Sequence, residues 1–175
     1  MAEAPRWYAC YTRGRHEKKV ATHLDSRNIE TFLPIHRVSV QWSDRRKLVD
    51  LPLFPSYVFA RFDHSELPQV LGTRGLVTIL RTAGRLSVIP DEEIENLRRF
   101  AEVLADRRIV PEREPLIEVG SRVQVMTGPF AGIEGVAVLR RGQTRLRVSL
   151  STVGEGLVVD LDDASLQVIG AGARA

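Results

Sequence analysis

The chain has 175 residues, 43% of them apolar and 27% charged, which is ordinary for a globular protein with one medium domain or two small ones. The net charge is only +3 and the pI is about 9.4, a combination that permits contact with nucleic acid but does not require it. A single cysteine, Cys10, excludes an intrachain disulfide, and no apolar run approaches the roughly 20 residues of a membrane helix. We therefore expect a cytoplasmic protein without a signal segment and without membrane contact.

In the N-terminal part, short apolar and aromatic runs alternate with segments of helical periodicity. The predicted strands are residues 7–12, 29–40 with an interruption at Pro34, 48–62, 76–80 and 86–89. The predicted helices are residues 16–28, 65–71 and 91–106. This order of elements is typical of a ferredoxin-like split βαβ fold, in which helices pack on an antiparallel sheet.

The pattern changes after residue 108. Residues 109–119 contain two prolines and alternating charges without periodicity, which indicates a linker. Beyond it, glycines separate short alternating runs, which favours a small closed β-barrel because each glycine inside a helix costs about 1 kcal/mol relative to alanine. The predicted barrel strands are residues 122–126, 136–140, 144–150, 157–161 and 166–169. We therefore predict an α+β protein with domains at residues 1–108 and 120–170.

Two motifs in this order indicate a family. The first runs from Pro52 to Phe62 and alternates aromatic residues along a strand, so one set faces the core and the other needs a partner. The second is the glycine-rich segment of residues 128–136. With the opening Trp7–Tyr8, these motifs resemble the NGN and KOW domains of the NusG family of transcription elongation factors. The KOW match rests on Val123, Val125, Gly128, Pro129, Phe130, Gly132, Gly135 and Val136.

The resemblance implies a ferredoxin-like NGN domain followed by an SH3-like KOW barrel. Within the family, residues 7–14 and the segments 75–77 and 88–94 are more similar to specialised paralogues such as RfaH than to the housekeeping factor. The implied function is that of an elongation factor that binds RNA polymerase across its cleft, suppresses pausing and promotes processive antitermination. Two alternatives stay open: a housekeeping NusG that acts in Rho-dependent termination and transcription–translation coupling, and an RNA- or ribosome-binding KOW module.

An aromatic patch is the first candidate site. The resemblance implies that Tyr11, Phe54, Tyr57 and Phe59 line a concave surface for the clamp helices of RNA polymerase. Aromatic residues suit such a role because they bring a large contact area for little lost rotamer freedom. The alternative is that these four rings fill the core of the domain.

Basic residues concentrate near the first helix. Residues 13–47 hold nine basic and four acidic residues, a difference of 9 − 4 = +5, and such a field attracts polyanions. On the predicted helix, His16, Lys19 and His23 fall within an arc of ~60°. The resemblance places these three residues, Arg13 and Arg74 near the non-template DNA strand. The alternative is a solvated helix face.

Two further segments carry candidate contacts. At the glycine-rich loop, Phe130 and Ile133 are expected to point outward, and the resemblance implies contact with Rho or with a small-subunit ribosomal protein. The alternative is that the glycines serve only the geometry of the turn and that the Phe130 side chain fills the core. The turn of residues 43–47 is predicted to be a basic hairpin tip that contacts nucleic acid or polymerase. The alternative is a solvated hairpin end.

The sequence offers no pattern for catalysis. His16, His23, His36 and His64 lack the spacing of metal ligands, and no glycine-rich phosphate loop leads from a strand into a helix. Cys10 is expected to be a small buried hydrophobe within the first strand. We therefore expect a monomeric, non-enzymatic protein with no catalytic residue, no metal and no cofactor.

Overall fold

A computed structural model describes residues 4–115, 120–140, 143–161 and 165–171. The chain divides into two compact units, one formed by residues 1–35 and 50–94 and the other by residues 36–49 and 95–175. The last four residues of the predicted linker, 116–119, lie outside the described residues. Among the described residues, no helix has both the length and the apolar character needed to span a membrane.

The described residues of these units form antiparallel strands and three α-helices. The strands are β1 (Arg6–Thr12), β2 (Glu30–Phe32), β3 (Ile35–Gln41), β4 (Arg46–Pro52), β5 (Tyr57–Phe62), β6 (Leu76–Ile79), β7 (Arg81–Thr82), β8 (Arg85–Leu86), β9 (Val88–Ile89), β10 (Glu112–Pro115), β11 (Ser121–Val125), β12 (Glu134–Arg140), β13 (Gln143–Leu150), β14 (Glu155–Asp160) and β15 (Leu166–Ala171). The helices are α1 (Glu17–Asp25), α2 (Leu67–Leu71) and α3 (Asp91–Arg107). The predicted α+β class is confirmed.

The first unit is built on a sheet of order β2-β5-β1-β6, with β9 also paired to β1. Alternation along β1 and β5 sends Tyr8, Cys10 and Val58 to one face, where they form a buried cluster with Val20 and Leu24 of α1. The helix is shorter than predicted: it ends at Asp25. Asn28, the predicted stop signal, adopts a left-handed conformation with φ 62° soon after it.

The single strand predicted over residues 48–62 is wrong. The segment forms two strands, β4 and β5, separated by residues 53–56. The Tyr57 N–H donates to the Phe54 carbonyl oxygen at 3.2 Å, and Ser56 has φ 67°. This turn sends β4 into a separate two-stranded sheet with β3, while β5 enters the main sheet.

The second unit contains a six-stranded antiparallel sheet of order β10-β14-β13-β12-β11-β15, which we call the C-terminal sheet. Its first strand, β10, lies within the predicted linker, so that part of the linker prediction is wrong. Two arginines of β13, Arg145 and Arg147, hold β10 in place by ion pairs with its glutamates. Arg145 pairs with Glu112 at 3.0 Å and with Asp160 at 2.7 Å, and Arg147 pairs with Glu114 at 2.8 Å.

Gly156 on β14 makes the pair between Arg147 and Glu114 possible. A Cβ atom at residue 156 would lie 2.9 Å from both Cγ and Cδ of Arg147. The missing side chain therefore lets the Arg147 side chain cross β14 from β13 and reach Glu114 on β10.

Replacement of Glu114 by alanine is expected to lower the free energy of unfolding by about 2–3 kcal/mol, because it leaves the buried Arg147 guanidinium without this partner. The matched control is Glu134→Ala, which removes an exposed carboxylate 3.6 Å from Arg122 and is expected to cost less than about 1 kcal/mol. Chemical denaturation measures both values. Equal losses for the two variants would contradict the proposed role of the Arg147–Glu114 pair.

Candidate functional site

Two tyrosines form the accessible part of the predicted aromatic patch. Tyr11 and Tyr57 lie directly opposite each other on β1 and β5, with ring centroids 5.4 Å apart. Tyr11 is 39% exposed and Tyr57 is half-buried. The pair presents two aromatic rings at one end of the sheet, an arrangement suited to a protein contact.

The other two predicted patch residues are not at the surface. Phe54 and Phe59 are fully buried, so the expectation that all four rings line an open surface is wrong. The Phe59 ring lies 6.0 Å from Phe54 in an edge-on contact and 6.2 Å from Phe32. Phe59 shares the face of β5 that carries Tyr57, and there it fills the core beside the tyrosine pair.

A buried carboxylate fixes the turn that leads into Tyr57. Glu17, the first residue of α1, is buried, and its Oε1 accepts a 2.7 Å hydrogen bond from the Ser56 N–H. The Ser56 carbonyl oxygen accepts a second bond from the Thr12 N–H at 2.8 Å. Sequence reasoning missed Glu17 because an acidic residue in a first helical turn is also favourable for the helix alone.

The predicted basic residues gather around the start of α1. Arg13 and Arg74 are exposed on two loops that are joined by a 2.9 Å bond from the Arg13 N–H to the Gly75 carbonyl oxygen. His16 precedes the helix and is half-buried, with its Nδ1 3.1 Å from the Gly14 carbonyl oxygen. Lys19 and His23 lie one turn apart on α1, and both are exposed.

The tyrosine pair and the basic residues of α1 lie on opposite sides of the main sheet. Tyr11 and Tyr57 share one face of β1 and β5, whereas Val20 and Leu24 attach α1 to the other face. Lys19 and His23 are on the solvent side of that helix. The first unit therefore exposes an aromatic surface and a basic surface that face different directions.

Phe130 and Ile133 are buried, so the expectation that they point outward is wrong. The Phe130 ring packs on Phe100 of α3 with centroids 5.7 Å apart. The Asn96 side chain on α3 bonds both backbone polar groups of Glu134: its Oδ1 accepts from the N–H at 2.9 Å and its Nδ2 donates to the carbonyl oxygen at 2.7 Å. Helix α3 thus covers this loop of the C-terminal sheet.

Comparison with known proteins agrees with this architecture. A sequence model of the family described as "Transcription termination factor nusG" matches residues 5–98, more than half of the chain. This chain belongs to the NusG family. It is therefore a member of a family of transcription termination/antitermination factors.

Relatives within the NusG family match along nearly the whole chain. The transcription termination/antitermination protein NusG of Escherichia coli (strain K12) is 28% identical over 187 residues, covering 95% of this chain and 99% of the relative. The protein of the same name from Pseudomonas aeruginosa is 25% identical over 184 residues, with the same coverage. A solved structure described as "Domain interaction in Thermotoga maritima NusG" superposes with a TM-score of 0.53 at 19% identity, covers 94% of this chain and 97% of its own, and supports the fold.

This NusG-family chain also has a basic, exposed hairpin tip between β3 and β4. The described side chains of residues 41–48 are all exposed, including Trp42, Arg45 and Arg46. The Lys47 Nζ lies over the Trp42 ring, 5.9 Å from its centroid. The predicted basic turn of residues 43–47 is therefore at the surface, and Trp42, which directly precedes it, is exposed as well.

Cys10 and the acidic and histidine side chains were the groups with possible reactive or metal-binding roles. Cys10 is buried as predicted, and burial raises the pKa of its thiol to about 12, so the thiol stays protonated and is a poor nucleophile. Among the described residues, no group of three or more His, Cys, Asp or Glu side chains is arranged to hold a metal ion.

Replacement of Asn96 by alanine is expected to speed amide hydrogen exchange at Glu134 about fivefold, because loss of one hydrogen bond of about 1 kcal/mol makes local opening easier. Exchange followed by NMR measures the effect. Arg99→Ala is the control, since it removes only an exposed 3.3 Å bond to the Gly132 carbonyl oxygen on the same loop. Unchanged exchange at Glu134 in the Asn96 variant would contradict the role of Asn96 in holding α3 over this loop.

Proposed function

We propose that this protein is an elongation factor that binds RNA polymerase across its cleft, suppresses pausing and promotes processive antitermination. The Tyr11–Tyr57 pair carries the proposal, because its partly exposed rings offer a specific aromatic contact on the sheet. The family membership supplies the functional class, transcription termination/antitermination. The protein has no catalytic role in this proposal.

The polymerase clamp helices are the proposed partner of the tyrosine pair. Interface hot spots are enriched in tyrosine and are surrounded by contacts that exclude water. Phe54 and Phe59 support the pair from inside, since Phe59 lies on the same strand and packs edge-on against Phe54. In this proposal the two phenylalanines position the docking surface and do not touch the partner.

The displaced non-template DNA strand is the proposed partner of the basic surface. Arg13, Lys19, His23 and Arg74 are exposed around the start of α1, and phosphate groups would bind there mainly by electrostatic attraction. His16 has a different role in this proposal. Its half-buried ring lies against Gly75, where a Cβ would be 3.1 Å from its Cδ2, so His16 packs the two loops together.

Bridging follows from the opposite directions of the two surfaces. A protein that holds the clamp on one side and DNA on the other binds the closed polymerase more tightly than the open one. Such preferential binding shifts the population toward the closed, active state without any chemical step. Pausing, which requires departure from that state, would then become less frequent.

The C-terminal sheet is the proposed contact for Rho or for a small-subunit ribosomal protein. Phe130 packs on Phe100 of α3 and Ile133 is also buried, so a partner that uses Phe130 must displace α3, and a partner that leaves α3 in place must use other residues.

A general NusG role in Rho-dependent termination and transcription–translation coupling is the second candidate function. The full-length match to proteins named for both termination and antitermination favours it. Transcription by purified polymerase, on templates with and without the leader of the host operon, separates the two. A specialised antiterminator acts only with the leader, whereas a general factor acts on both templates.

Replacement of Tyr57 by alanine is expected to weaken polymerase binding by about 2 kcal/mol, or about 30-fold in Kd, as for truncation of a hot-spot residue. The measurement is titration of labelled polymerase with the folded variant. Leu71→Ala, which truncates another exposed apolar side chain on α2, is the control and should bind normally. Wild-type affinity of the Tyr57 variant would exclude the tyrosine pair as the docking site.

Replacement of Lys19 by alanine is expected to reduce the salt dependence of DNA-scaffold binding by about 0.7–0.9 in the slope of log K against log salt, the contribution of one phosphate contact. Lys18→Ala is the matched control, because it removes the same charge about 100° away around α1. Equal slopes for both variants would indicate a diffuse field and would reject a defined contact at Lys19.

A further inference from the structure

The turn of the β3–β4 hairpin carries an exposed tryptophan, and we propose that it binds single-stranded DNA by stacking an unpaired base on Trp42. The Trp42 side chain is 54% exposed, although tryptophan is usually well buried in folded proteins. An aromatic ring at the surface of a basic segment is the stacking platform that single-strand binding proteins use. This site shares no residue with the basic surface of α1.

The turn holds the Trp42 backbone in a defined conformation. The Trp42 N–H donates a 2.8 Å hydrogen bond to the Arg45 carbonyl oxygen, which closes the turn. The Gln41 side-chain nitrogen donates to the Trp42 carbonyl oxygen at 3.0 Å, and Gln41 Oε1 accepts from Arg46 Nε at 3.2 Å. A base that stacks there meets a side chain on a pre-positioned backbone, so less backbone entropy is lost on binding.

Charge at the hairpin favours a polyanion. Residues 36–49 hold four basic residues and one acidic residue, a difference of 4 − 1 = +3. Three of the cations, Arg45, Arg46 and Lys47, are consecutive and exposed immediately after the turn.

Lys47 and Trp42 together suit one nucleotide. The Lys47 Nζ lies over one face of the ring at 5.9 Å from the centroid, which leaves the opposite face for a base. The Lys47 ammonium group adds positive charge beside the ring, which attracts the phosphates of a bound strand. The choice of DNA over RNA rests on the proposed function, because an elongating polymerase displaces a DNA strand.

Intrinsic fluorescence of the full chain tests this site directly. The chain has two tryptophans, and Trp7 is 3% exposed, so quenching by an added oligonucleotide reports on Trp42. We expect saturable quenching by a deoxythymidine oligomer of about 12 nucleotides, and weaker binding as salt increases. The absence of quenching at saturating oligomer would overturn the proposal.

Two variants separate stacking from general attraction. With a labelled oligomer, anisotropy should give about tenfold weaker binding for Trp42→Leu, whereas Trp42→Phe, which keeps a ring, should retain most of the affinity. An unchanged thermal midpoint and unchanged Trp7 emission verify that both variants fold. Wild-type affinity for Trp42→Leu, or an equal loss for both variants, would reject base stacking.

Other nucleic acids test the preference for a single strand over a duplex and for DNA over RNA. A duplex of the same length should leave Trp42 emission nearly unchanged, and equal quenching by duplex would overturn the single-strand assignment. Tighter binding of a uridine RNA oligomer would overturn the choice of DNA. The assay contains no polymerase, so a failure here leaves the Tyr11–Tyr57 docking proposal standing, and a failure of that docking leaves this result unaffected.

Discussion

The hydrogen bond from the Ser56 N–H to the buried Glu17 carboxylate is the contact on which both proposed surfaces of the first unit depend. A non-glycine residue at φ 67° is disfavoured, so the turn at Ser56 persists only because its surroundings stabilise it. Once the turn is fixed, Tyr57 enters β5 directly opposite Tyr11. The helix that supplies the carboxylate also presents Lys19, so one short segment sets the aromatic and the basic surface together.

In the second unit, the main stabilising feature is the cover that helix α3 provides for the loop of residues 128–134. Its Asn96 side chain pairs with the backbone of Glu134 as another strand would, and its Phe100 ring covers Phe130. These hydrogen bonds make the packing of α3 on the loop specific. Separating α3 from the loop would leave the N–H and carbonyl groups of Glu134 without these bonds. The loop of residues 128–134 is therefore part of a packed core here, which explains why its large side chains are not available at the surface.

Sequence patterns predicted the elements well where local signals decide them. Helices α1 and α3 follow from apolar residues at helical spacing, and the break at Pro34 separates β2 from β3. Pro55, directly before Ser56, is a local turn signal, but the alternating aromatic residues on either side of it favoured one continuous strand. The burial of Phe54 and Phe59 depends on which sheet face is covered, and β10 depends on arginines about thirty residues later in the chain, so neither could be found from periodicity.

Strand β10 also changes how far the C-terminal sheet can move from α3. Four residues, 108–111, separate the end of α3 from the start of β10, and they span at most about 14 Å. Detachment of β10 from β14 would extend the connection to the twelve residues before Gly120, with a reach of about 40 Å. The arginine ion pairs oppose this extension, so the connection between α3 and the rest of the sheet stays short unless β10 detaches. The local concentration of the C-terminal sheet near α3 is then set by the strength of two charge contacts as much as by the number of residues between them.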